Sequence, residues 1–201
     1  MRLSRKRLGR AFFVRPAPVV ARDLLGRVLV RTSEDGSRIA GSIVETEAYT
    51  QDDAASHSYR GRTERNAMMF ERAGSLYVYF TYGMHFCLNV VTGEIEEGSA
   101  VLLRALQPLE GLETMGRNRG ISDVRLLCSG PARLCQAFGV AASDNGVDLT
   151  RGGSFRVEAG ASYADAETIV TPRVGIRHAA DLQRRYVVRS SGWASRRHVA
   201  G

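Results

Sequence analysis

From Arg27 to Glu47 the chain alternates apolar and polar positions in two runs, Arg27–Thr32 and Arg38–Glu47, parted by Ser33-Glu34-Asp35-Gly36-Ser37. Period-two alternation around an Asp-Gly pair predicts two antiparallel strands and a hairpin turn. The same period returns over Ser75–Thr81 and Met84–Val91 around Tyr82-Gly83, and the apolar run Ala100–Leu106 predicts a largely buried strand. Helical spacing covers about 5–13 and 18–25, the second with Pro18 in its first turn and Gly26 as its stop. It recurs over Leu109–Arg117, over Ala132–Phe138 entered through Ser129-Gly130-Pro131, and near 178–185. Asn66–Arg72 reads as one or two helical turns, Thr50–Arg65 as a polar loop, and about 154–158, 168–170 and 186–189 as short strands. Together these predict a single α+β domain over 15–195. Residues 1–14 read as a basic N-terminal arm or first helix, and 196–201 as a C-terminal tail.

Composition narrows the function classes. With 201 residues, 44% of them hydrophobic and 24% charged, the chain can bury a proper core. Arg104 already breaks the apolar run at 100–106, and no stretch approaches the ~18 apolar residues of a membrane span. Met1–Arg10 is basic but leads to Pro16 and Pro18 rather than to an apolar segment, so a cytoplasmic, bacterial nucleoid-associated location is expected. Cys87, Cys128 and Cys135 are odd in number and form no close pair, which predicts buried thiols and neither metal nor cofactor. A net charge of +7 implies an anionic partner. Lys6 is the only lysine, so almost every cation is an arginine, whose fork suits phosphate oxygens. A GC-rich coding sequence would also favour arginine; nucleic acid still ranks above a membrane surface, since no basic amphipathic helix with an aromatic face occurs.

Two places carry candidate chemistry. In Val44-Glu45-Thr46-Glu47-Ala48-Tyr49 the alternation puts Glu45, Glu47 and Tyr49 on one face. Taken alone, the two glutamates read equally well as partners of arginines such as Arg104 or as a general base beside an aromatic platform. His57 lies eight residues past Tyr49 in a polar loop, where a lone histidine is usually surface. In the hairpin, Leu76, Val78 and Phe80 share one face and Tyr77, Tyr79 and Thr81 the other, while Tyr82 falls at the turn with no core to fill. An aromatic there reads either as a packed residue or as a wedge between base steps. Asn89, facing the same way as Cys87 and Val91, is either a satisfied core amide or a reader of base edges.

The stretches Ile43–Tyr49, Leu76–Asn89, Ala100–Leu106, Pro108–Glu113, Leu127–Pro131 and Pro172–Ile176, in this order, closely resemble the alkyladenine (3-methyladenine) DNA glycosylase family found in vertebrates and many bacteria. The match spans most of residues 15–180. Residues 139–168 match poorly and are expected to be a variable surface segment, and Leu182–Tyr186 lacks the proline and Arg-Phe pairing of the pattern. The expected fold becomes a mixed, largely antiparallel curved sheet flanked by helices, with a protruding β-hairpin at about 75–91. The resemblance implies that Glu47 activates water and that Arg104 lies beside the water and the reacting nucleotide. It implies further that Tyr49, His57 and Tyr79 sandwich a flipped base, that Asn89 obstructs the amino group of guanine, and that Val174 offers a backbone contact. Tyr82 would be the hairpin-tip wedge, with Met84 beside it against the duplex. The implied partner is double-stranded DNA containing damaged purines, bound by a monomer. A Schiff-base strand nick needs an amine, and only Lys6 and the N-terminus supply one, both outside the matched region. The rival to a hydrolase is a non-catalytic module that binds damaged DNA.

If Tyr82 is the wedge, Tyr82→Ser weakens binding to a lesion-bearing duplex more than binding to the same single strand, as read by titration of labelled oligonucleotides. Equal losses on both would rule the wedge out.

Overall fold

The computed structural model describes residues 6–81 and 83–195. Short helices α1 (Arg10–Phe13) and α2 (Ala17–Asp23) lead into β1 (Val28–Thr32) and β2 (Arg38–Tyr49). After a long loop come β3 (Leu76–Thr81), β4 (His85–Thr92) and β5 (Ser99–Glu110), then α3 (Leu112–Arg119) and α4 (Pro131–Ala137). The short strands β6 (Phe155–Glu158), β7 (Thr168–Thr171) and β8 (Arg185–Val188) follow.

The strands form one sheet in the order β3-β4-β5-β2-β1-β6, with β8 also on β2 and β7 on β8. The strand pairings described are all antiparallel, more uniform than the mixed sheet expected. Strand β2 is the branch point: its first half, Arg38–Ser42, pairs with β1, and Glu45–Glu47 pairs with β8. Along its other edge it pairs with β5, but the register jumps from Ile43↔Leu106 to Glu45↔Ala105 and then to Thr46↔Leu103. Val44 on β2 and Arg104 on β5 are thus left out of the ladder, as in β-bulges, which bend strands and re-aim side chains. The result is a curled antiparallel sheet with helices on it, an α+β fold.

The two faces of the sheet have different tasks. On one, Leu29, Ile43, Leu76, Leu88, Val90, Leu103 and Leu106 pack with Phe13, Val20 and Leu24 of the first helices and with Leu134 and Phe138 at α4. Full burial of each large aliphatic contributes about 1.5–3 kcal/mol, so this face carries most of the stability. Thr46, turned the same way, donates its hydroxyl to Ala21 O of α2 at 2.8 Å. The opposite face holds a small cluster, Met69, Phe70, Tyr77, Val91 and Ala100, with Tyr79 against it. The division Leu76/Val78 against Tyr77/Tyr79 follows the period-two expectation.

Four expectations give way. The helix expected over about 5–13 is confined to Arg10–Phe13, because Arg7 bridges to Glu158 and the Leu8 N–H bonds to Val157 O on β6. The helix expected from Leu109 begins at Leu112, since Pro108 and Glu110 still pair with β2 and Gly111 turns the chain at φ 74°. No helix forms near 178–185: Ala179 has φ 47°, and Arg185 already belongs to β8, opposite Glu47. Segment 139–168, expected at the surface, buries Leu149, Phe155 and Val157 in the main core.

Gly26, read as a helix stop, sits at φ +82°, and a Cβ there would meet Ala161 O at 2.5 Å. Both the backbone conformation and the close approach of another backbone exclude a side chain. Gly26→Ala is expected to lower unfolding free energy by about 2 kcal/mol. Urea denaturation checks this; an unchanged midpoint contradicts it.

Candidate active site

On the face away from the main core, β3, β4 and β5 and two loops enclose a cavity of about 370 Å³. That volume lies within the usual range for a small-molecule site. Its aromatic wall is Tyr49, His57, Tyr77 and Tyr79, and Asn89, Cys87 and Arg104 add polar atoms. Val174, Gly175 and Ile176 of a second loop also line it. Strand alternation delivers these groups: Tyr77, Tyr79 and Thr81 from β3, Cys87 and Asn89 from β4, and Ala100, Leu102 and Arg104 from β5 all line the same space.

Beneath the cavity lies a charged floor. Glu45 and Glu47 have no exposed surface, and Arg104 is nearly buried between them. Arg104 places Nε 2.9 Å from Glu45 Oε1 and Nη1 3.3 Å from Glu47 Oε1. Glu45 also accepts from Arg185 Nε at 2.7 Å, from the Ser195 hydroxyl at 2.8 Å and from the Ser195 N–H at 2.6 Å. Burial works against its charge, but Arg104, Arg185 and the Ser195 N–H hold its carboxyl below the ordinary range. Glu45 thus accepts four hydrogen bonds, three on Oε1 and one on Oε2. Glu47 accepts the Tyr49 hydroxyl on Oε2 at 2.8 Å and the Val174 N–H on Oε1 at 2.8 Å. A carboxylate oxygen can take two bonds, so Oε2 keeps spare capacity. Glu47 itself does not line the cavity, but Tyr49, Val174 and Arg104, which contact it, do.

The aromatic groups are fixed by each other. His57 Nδ1 is 2.9 Å from the Tyr77 hydroxyl, and its ring meets Tyr79 nearly edge-on at 4.6 Å between centroids. Crowding by the cavity wall, and secondarily Arg65, pushes His57 below its ordinary pKa although part of the residue stays exposed. Burial pushes the Tyr77 hydroxyl up to about 12. Tyr49 and Tyr79 are raised as well by burial, and Tyr49 further by the charge of Glu47. Asn89 donates Nδ2–H to Tyr77 O at 3.1 Å while lining the cavity, which joins the two readings of that residue: a partnered amide that also faces the space. Cys128 and Cys135 are core thiols, whereas Cys87 is a cavity residue.

Of the residues singled out from the sequence, Tyr49, His57, Tyr79, Asn89, Arg104 and Val174 converge on this cavity, with Glu47 under it. Met84 does not: it is 70% exposed at the hairpin end and lines a separate depression of about 340 Å³ against α4. Tyr82 lies outside the described residues. Sequence reasoning missed Arg185 and Ser195, which complete Glu45, and Arg173, whose guanidinium packs 4.6 Å from the Tyr49 ring centre and pairs with Asp53. Only the arginine inside Pro172–Ile176 gave any signal of the last. Among the described residues no three His, Cys, Asp or Glu side chains converge as metal ligands would, and no helix is long and apolar enough to cross a membrane.

Because His57 has its folded pKa lowered, the unfolded chain binds its proton more readily. Stability from this group is complete above about pH 6.5 and falls as the pH drops through the folded pKa. His57→Gln should flatten the loss of Tm between about pH 7 and 5, and the ring protons of His57 should titrate below 6.5 by NMR. Titration at or above 6.5 contradicts the assignment.

Comparison with known proteins gives a consistent result. The family profile described as Methylpurine-DNA glycosylase (MPG) matches residues 11–192. A protein of Carboxydothermus hydrogenoformans named "Putative 3-methyladenine DNA glycosylase" is 45% identical over 190 residues, covering 94% of this chain and 99% of that one. Relatives with the same name in Methanoculleus marisnigri and Rhodopseudomonas palustris are 48% and 46% identical over 190 residues, covering 93% and 94% of this chain and 97% and 91% of theirs.

Proposed function

This chain belongs to the methylpurine-DNA glycosylase family, and we propose that it excises damaged purines from duplex DNA by hydrolysis of the N-glycosidic bond, without nicking the strand. The observation that carries the reading is Glu47: a carboxylate held by Tyr49, Val174 and Arg104 directly behind an aromatic cavity of about 370 Å³.

In this reading the damaged nucleotide leaves the stack and its base enters between the aromatic walls. A purine alkylated on a ring nitrogen is electron-poor, stacks well and leaves with the pair of electrons of the broken C1′–N bond. The sugar becomes cation-like, and Glu47 both stabilises that charge and takes a proton from the water whose oxygen bonds to C1′. General-base assistance of this kind is worth on the order of 10²–10⁴-fold, with electrostatic stabilisation added. Arg104, anchored on Glu45, keeps one guanidinium edge toward Glu47 and the reacting nucleotide. Water reaches Glu47 only if the Tyr49 hydroxyl or the Val174 wall yields when the base enters. Substrates in this reading are the 3-methyladenine, 7-methylguanine, hypoxanthine and ethenoadenine class, with Asn89 working against the amino group of intact guanine. Residues Tyr82 and Met84 would hold the hairpin end against the duplex. No lysine lines the cavity, which supports water rather than an amine as the nucleophile.

One observation favours the rival, a damage-binding module without catalysis: Glu47 has no exposed surface. Incubation with EDTA and duplexes carrying these lesions separates the two. Hydrolysis gives alkali-labile abasic sites in lesion strands, none in undamaged ones, and no covalent adduct on borohydride reduction. Tight lesion binding without abasic sites would establish the module, and a borohydride-trapped adduct would overturn the water mechanism.

A further inference from the structure

Arg173 and Asp53, which the proposed chemistry does not use, join the two loops that close the cavity. Both side chains are fully buried. Arg173 donates Nη2–H to Asp53 Oδ1 at 2.9 Å, and Nη1 both to Asp53 Oδ2 and, at 3.0 Å, to Ala48 O. Asp53 in turn accepts the Ala55 N–H at 3.0 Å, and Ala55 and His57 line the cavity from that loop. Burial opposes the charge on Asp53, but the bonds from Arg173 and Ala55 keep its carboxyl below the usual range.

What distinguishes this pair from an ordinary buried salt bridge is its two routes to Glu47. The Arg173 guanidinium lies 4.6 Å from the centre of the Tyr49 ring, whose hydroxyl holds Glu47 Oε2. The next residue, Val174, gives its N–H to Glu47 Oε1. Both neutral hydrogen bonds that orient Glu47 thus depend on where Arg173 sits. Its Nε finds no acceptor among the described residues, a cost that a pairing chosen for stability alone would avoid.

We infer that the Asp53–Arg173 pair is a positioning device that sets the orientation of Glu47, through Tyr49 and through the Val174 amide, as the two loops close around the base. This rests on Glu47 being the base of the proposed hydrolysis. The fork geometry matters rather than the charge, since a lysine ammonium cannot span both Asp53 oxygens and the Ala48 carbonyl.

The test uses Asp53→Asn, Arg173→Met and Arg173→Lys in the whole protein. Single-turnover base release from a lesion duplex is expected to fall about ten- to a hundredfold in all three, with the lesion-duplex Kd within about threefold of wild type. Independently of any activity, the Val174 amide proton is expected to move upfield and exchange faster in each variant, while the amides of Leu103 and Leu106 in the core keep their protection. Should Arg173→Met not fold, the near-isosteric Asp53→Asn carries both readouts. An unshifted Val174 amide in Asp53→Asn overturns the inference, as does a wild-type rate in Arg173→Lys. Absence of base release in the wild type, with the Val174 shift present in the variants, would sink the proposed hydrolysis but leave the positioning intact.

Discussion

Everything near the cavity depends on accommodating two fully buried glutamates side by side. An uncompensated buried charge costs several kcal/mol, so each glutamate must be met by donors. Glu45 meets this with Arg104, Arg185 and Ser195, groups from β5, from β8 and from the segment after it. That requirement explains why short strand β8 lies against the second half of β2 and why the chain returns to Glu45 at residue 195. It also divides the labour between the carboxylates. Glu45 accepts four hydrogen bonds and holds Arg104, whose guanidinium presents an edge to Glu47, which accepts only two among the described residues.

The sheet makes such a floor compatible with a stable domain by segregating its faces. Aliphatic side chains of alternate residues pack on α2 and α4, and the intervening residues carry the aromatics, the amide and the arginine. The bulges at Val44 and Arg104 adjust the register where this segregation would otherwise fail. Arg104, which alternation puts on the cavity side with Ala100 and Leu102, stands at this shift and reaches both acids.

Much of this was legible in the chain, and the rest was not for identifiable reasons. Period-two alternation was enough to pair Glu45, Glu47 and Tyr49, and to put Tyr77 and Tyr79 opposite Leu76 and Val78, because a strand's geometry has only two sides. Residues such as Glu47 and Arg104 were singled out only through resemblance to a family. Alternation alone left both glutamates open to two readings, arginine partners or a general base, and both do pair with Arg104. The Asp53–Arg173 pair was invisible because its members stand 120 positions apart in loops without periodicity. The helix expected from 109 starts only at Leu112 and the one expected near 178 is absent, because tertiary pairing with β2 overrode local spacing: Pro108 pairs with Gly41, and Arg185 with Glu47. Segment 139–168 read as a variable surface segment because it matches the family poorly, yet β6 brings Phe155 and Val157 into the core.

The central claim is the unequal roles of two neighbouring glutamates, and the most direct measurement compares Glu47→Gln with Glu45→Gln in one assay, with Tm taken for both. The account predicts that Glu47→Gln keeps Tm and lesion-duplex affinity near wild type while base release falls by about a hundredfold or more. Glu45→Gln should lower Tm markedly, since it leaves Arg104 and Arg185 without their common anion. Base release by Glu47→Gln at the wild-type rate, with the protein folded and bound to the lesion, would contradict it.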